Sequence, residues 1–106
     1  MRINDVIERL DRLLENGDIK DYAYHHFISA PTLPYIAYLE YDSSSVMADN
    51  QTIYMDHGIR LELYTEKKDI QLEQKLEQEF KNLPIIKEAS IWLETENTYM
   101  TVYSVF

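Results

Sequence analysis

Residues able to do chemistry crowd into one short stretch of the chain. VMADNQTIYMDHG, at positions 46–58, holds Asp49, Asn50, Gln51, Asp56 and His57. Carboxylate, amide and imidazole at that density suit an active site, and equally the polar tip of a hairpin that grips a neighbour. The chemistry can be tested class by class. A catalytic zinc needs three protein ligands converging on one point. The three histidines do not offer them. His25 and His26 are adjacent, and in a strand their side chains would point to opposite faces. His57 stands beside Asp56 under the same restriction. Asp49, Asn50 and Asp56 lack the alternating ligand rhythm and turn glycine of a calcium loop. Ser43, Ser44 and Ser45 lack the glycine-flanked elbow that exposes a nucleophilic serine. No catalytic residue, metal ligand or cofactor site is expected, and the chain reads as a non-enzyme. Asp and Asn are the residues a hairpin bend favours. The stretch therefore reads as a loop between two Tyr-rich strands. Within it, Val46 and Met47 are apolar residues in a polar tip. That placement suits a contact arm that reaches a neighbour, with Asp49 and Asn50 bonding to its backbone.

The excess that needs explaining is aromatic. There are nine tyrosines, among them Tyr54 and Tyr64, and most fall in strand-like segments. One reading is β-propensity. The other is a partly exposed sheet face covered by another subunit, since tyrosine is enriched at interfaces. Both stay open, and Tyr54 and Tyr64 join Val46, Met47, Asp49 and Asn50 as candidate subunit or partner contacts.

Composition narrows the classes further. The 106 residues suit a single domain, 1–106. There is no cysteine, so no disulfide or thiolate chemistry is available. Nineteen acidic against ten basic residues give a formal charge of −9, which opposes binding to a phosphate backbone. The two glycines are isolated, which excludes a phosphate-cradling loop. No apolar run approaches the roughly 18 residues of a membrane span. The acid-rich N-terminus does not read as a signal peptide, so the expectation is a protein made and folded in a cytoplasm.

The elements that must position these residues follow from periodicity. Ile3, Val6, Ile7, Leu10, Leu13 and Leu14 recur at helical spacing, with Asn4 as the expected N-cap and Asn16-Gly17 as the stop. Residues 22–30 read as a short strand, 31–34 as a proline connector and 35–42 as a strand. Residues 43–51 read as a polar loop and 52–65 as a strand with Gly58 as a bulge or break. Asp69 caps a second helix running to about Asn82, its apolar stripe being Leu72, Leu76, Phe80 and Leu83, flanked by Ile70. Residues 85–94 and 98–106 form a final hairpin. The order α-β-β-β-α-β-β predicts an α+β fold. Its sheet is mixed or mostly antiparallel, of four to five strands, with two helices packed on one face.

With these segments in order, the chain resembles small proteins from the head–tail joining region of long-tailed bacteriophages and prophages of Gram-positive bacteria. The shared features are Pro34-Tyr35 opening a strand, Ala48-Asp49-Asn50 in the loop, and Glu62-Leu63-Tyr64-Thr65 followed by Lys68-Asp69. A glutamate-rich helix and the final hairpin complete them. Residues 20–106 carry the likeness, through order and spacing rather than one motif. Such proteins are similar to tail terminators, also called tail completion proteins. The resemblance implies a virion protein without catalysis or cofactor, assembled in the host cytoplasm. It implies a ring, commonly a hexamer of the chain itself, which caps the tail tube protein and meets the head completion or connector protein. DNA would pass through without specific binding, and no membrane partner is implied. The alternatives are a head-side connector of the same region, or a small α+β ligand-binding or regulatory domain that uses its tyrosines as a pocket.

Overall fold

The computed structural model describes residues 3–42, 47–48, 51–52 and 57–106, with side chains for 3–40 and 58–106. Helix α1 (Ile3–Glu15) follows the apolar period: Val6, Leu10 and Leu13 are buried, and Ile3 and Ile7 pack against the same core. Leu14 sits at the exposed rim. Asn4 lies inside the helix and is not its cap. The stop is the expected one. Gly17 adopts φ +79°. The Asp18 N–H donates to Leu13 O at 2.9 Å and the Gly17 N–H to Leu14 O at 3.1 Å, the paired closure of a Schellman end. A residue with a Cβ adopts that φ only under strain.

The chain then enters a five-stranded sheet ordered β1-β2-β5-β7-β6. Its members are β1 (Asp21–Tyr24), β2 (Tyr35–Asp42), β5 (His57–Thr65), β6 (Ile85–Leu93) and β7 (Thr98–Val105). β1 and β2 are parallel, and every other neighbouring pair is antiparallel. The fold is α+β with a mixed sheet. The first strand is shorter than the sequence predicts because His25 turns to φ +68° directly after Tyr24. Gly58 is neither bulge nor break; it pairs in register with Tyr41. The register shift falls instead between Lys87 and Ala89. The predicted strand over 52–65 is divided. Gln51–Thr52 (β4) pairs with Met47–Ala48 (β3) in a separate two-stranded ladder, so the segment read as a polar loop contains strand pairing.

Helix α2 (Ile70–Glu79) is capped as expected, with Asp69 Oδ1 accepting the Leu72 N–H at 3.0 Å. It ends before Asn82, at a C-cap formed by Phe80. Leu72, Leu76 and Phe80 are buried and Leu83 packs at their edge, whereas Ile70 is exposed. β5 and β6 both run antiparallel to β7, so they share a direction, and α2 is the crossover between them. A 3₁₀ turn (Glu94–Glu96) closes the last hairpin, with Asn97 at φ 50°, ψ 46° in the left-handed region where a tight turn often uses glycine.

Both helices bury their stripes against one sheet face. Ile36 and Tyr38 of β2, Ile59, Leu61 and Leu63 of β5, and Tyr103 and Val105 of β7 form one core with the two helices. These are alternate residues on each strand, as a period of two requires.

Candidate functional site

The opposite face has no helix packed on it among the described residues, and the register sets out its side chains in rows. Tyr35, Tyr64, Met100 and Ile91 lie side by side across four strands. Ala37, Glu62, Val102 and Ala89 form the next row, and Leu39, Arg60, Ser104 and Ile86 the third. Only Glu62, Arg60 and Ser104 of these are polar or charged. Arg60 Nε lies 2.9 Å from Glu62 Oε2, an ion pair by distance whose geometry leaves the buried Nε without a hydrogen bond. Ile86 is 52% exposed and Ile91 43% exposed, which places apolar surface at the β6 side of the face. A hollow of about 460 Å³ lies there, lined by Leu39, Arg60, Glu88, Val102 and Ser104. The arrangement can hold a protein surface.

Tyr64 is the predicted contact residue that this face contains. Its ring stacks on Tyr35 with centroids 4.9 Å apart, and Phe27 meets Tyr35 edge-on at 5.1 Å. The Tyr64 hydroxyl donates to Glu62 Oε1 at 2.8 Å. Burial, and then that carboxylate, push the phenol above its ordinary value, so it remains a neutral donor at physiological pH. The other described tyrosines are not gathered here. Tyr38 and Tyr103 belong to the helix-covered core, and Tyr22 donates to Asp11 of α1. That bond, then burial, pushes Tyr22 up to about 12. The tyrosine excess thus serves both faces. Val46, Asp49, Asn50 and Tyr54 lie outside the described residues, and Met47 is described only as backbone in β3.

At one end of the same face, residues after β1 roof a cavity of about 220 Å³ lined by His25, His26, Phe27, Ala30, Tyr35, Ala37, Tyr64 and Glu96. The two histidines follow the strand instead of extending it, so the expectation that they face opposite ways is overturned. Their Nδ1 atoms are 2.6 Å apart and their rings meet at 78°. Adjacency in sequence excluded this arrangement only for extended backbone. Among the described residues, no group of three or more His, Cys, Asp or Glu side chains stands placed to hold a metal ion.

Sequence reasoning also missed Glu73, which is 2% exposed on a helix otherwise read as polar at that position. Its carboxylate accepts Lys87 Nζ at 2.7 Å and Lys68 Nζ at 3.0 Å. Burial alone would raise its pKa, but the two ammonium groups outweigh burial and hold the carboxyl below its usual value. Lys87 also reaches Glu77 Oε2 at 3.0 Å, and that oxygen accepts the Tyr103 hydroxyl at 2.7 Å. The network ties α2 to β6 and β7. The signal for it is the pair Lys68 and Lys87 flanking a helix of glutamates, which spacing alone does not resolve.

No protein-family model matches the chain, and no curated protein matches it either. The class of protein is therefore defined by the fold, an α+β sheet with helices on one face and an apolar face opposite. No helix among the described residues is long and apolar enough to cross a membrane.

Proposed function

We propose that this chain is a structural protein of the phage head–tail joining region, a tail terminator whose copies form a ring between tail tube and head. The observation that supports this reading is the sheet face on which no helix packs among the described residues, with apolar residues at most of its cross-strand positions. A surface of that kind is stabilised when a second copy removes it from water. Ring closure requires a heterologous contact, one patch meeting a different patch on the next copy. The open face is one patch; the segment carrying Val46 and Met47 is the other. The acidic balance of −9 suits a ring through which DNA passes without adhering. The resemblance over residues 20–106 supports the same reading.

The ligand-binding alternative fares less well on geometry. Tyr35 and Tyr64 stack on each other and the Tyr64 hydroxyl is already bonded to Glu62, so the rings fill space more than they enclose it. The cavity that Tyr35 and Tyr64 line, about 220 Å³, is also below the roughly 300 Å³ lower bound of ordinary small-molecule sites, and the larger hollow of about 460 Å³ is lined by no tyrosine.

The test is native mass of the purified protein, followed by electron microscopy after mixing with tail tubes. A closed ring, or rings seated on tube ends, is the expected outcome. A monomer at all concentrations that ignores the tubes would sink the proposal.

A further inference from the structure

We propose that His25 and His26 form a two-imidazole chelate for one divalent transition-metal ion, copper(II) by preference. The site begins with the backbone. The His26 N–H donates to Tyr24 O at 2.8 Å, closing a three-residue turn around His25 at φ +68°. Turns of this kind with positive φ at a non-glycine centre are rare and strained. This one is pinned to the sheet by the His25 N–H, which donates to Tyr38 O at 2.6 Å. The strain brings two imidazoles together that an extended chain would separate.

What stands between the two Nδ1 atoms follows from their distance. At 2.6 Å the two nitrogens are within hydrogen-bond distance, one ring donating and the other accepting according to the tautomers. A metal ion held by both rings lies off the line joining the two nitrogens, so the rings must turn as well as part, their lone pairs converging on the ion instead of facing each other. With metal–nitrogen bonds of about 2.0–2.1 Å, cis ligands of a square-planar ion lie about 2.9 Å apart and tetrahedral ligands about 3.3 Å. The rings need to open by about 0.3 Å in the first case and about 0.7 Å in the second. Square-planar copper(II) or nickel(II) is therefore favoured over zinc, and copper(II) also binds nitrogen ligands most tightly in the divalent series.

The surroundings accept a cation. Glu96 lines the same cavity, and among the described residues no Lys or Arg does. The remaining volume of about 220 Å³ has room for waters to complete the coordination. Both histidines are exposed, so an ion can enter without unfolding.

The experiment uses the full, untagged chain, titrated calorimetrically with CuCl₂, NiCl₂ or ZnCl₂ in a non-coordinating buffer near neutral pH. One copper per chain is expected, bound more tightly than nickel or zinc. His25→Gln and His26→Gln should each weaken copper binding at least ~10-fold, since even loss of an outer-shell partner costs about 10–100-fold. His57→Gln should leave it unchanged. Wild-type affinity retained in either pair variant, or loss in His57→Gln, overturns the proposal. An independent readout needs no variant: substoichiometric copper should broaden the ring resonances of His25 and His26 before those of His57. Equal broadening of all three overturns it as well.

Discussion

Glu73 shows what a single buried charge contributes here. Its carboxylate is nearly without solvent contact and depends on Lys68 and Lys87. Because its folded pKa is depressed, its stabilising contribution is present above the ordinary value of 4.5 and is lost as pH falls through the lower, folded value. Glu73→Gln should cost about 1.5–3 kcal/mol at pH 7, the range for a hydrogen bond to a charged group. The gap between variant and wild type should close below pH 4.5. Urea denaturation of both proteins across pH 3–8 measures it; a gap independent of pH would show that the charge does not matter. The phenols run the other way. Tyr22, Tyr64 and Tyr103 are all raised, so their hydroxyls favour the folded state's neutral form, and stability should begin to fall above pH 10 as the unfolded phenols ionise. Ultraviolet titration should show these three ionising late, together with loss of near-ultraviolet circular dichroism.

At the scale of elements, the helices are held by their stripes and their ends. Leu10 and Leu76 are both fully buried. Truncating either to alanine should cost about 2–5 kcal/mol, a large part of a stability of about 5–15 kcal/mol. Unchanged melting temperatures in both variants would contradict helix-on-sheet packing. The ends should respond more weakly. Asp69→Ala removes the acceptor of the Leu72 N–H and should cost about 0.5–2 kcal/mol. In Gly17→Ala an added Cβ meets nothing within 4 Å, so the cost is that of a positive φ alone, about 1–2 kcal/mol. Chemical denaturation of the two variants separates a lost hydrogen bond from a lost conformation. If Gly17→Ala is neutral or stabilising, the left-handed end of α1 is wrong.

For the whole molecule, the prediction concerns association. Ile86 and Ile91 are exposed on the open face, so replacing both by glutamate should leave circular dichroism unchanged. The same change places charge on the apolar surface assigned to the neighbour and should abolish rings in native mass spectra. Replacing Val46-Met47-Ala48 by Gly-Ser-Gly should give the same phenotype from the other side of the contact. Met47 and Ala48 pair only in the separate two-stranded ladder, so circular dichroism should show the five-stranded sheet and helices retained in this variant. If the first variant assembles and the second does not, the arm engages another surface. If both assemble, the open face is not an interface.

Each correct local reading came from residues a few positions apart. The stripe of α1, the Gly17 stop, the Asp69 cap and the alternation of Ile59, Leu61 and Leu63 with Arg60, Glu62 and Tyr64 were all legible in the sequence. Their causes act over one turn or one pleat. Asn4 misled because many polar residues can cap a helix and its actual first turn begins one residue earlier. What depends on pairing was not legible. Which residues stand beside Tyr64, where the bulge falls, and that Glu73 is buried against Lys87 are decided by register between strands and helices far apart in the chain. The histidine pair lies between these cases. Two adjacent imidazoles are visible in the sequence, but a strand keeps them apart and a strained turn brings them together. The bond from the His26 N–H to Tyr24 O, which closes the turn, decides between the two.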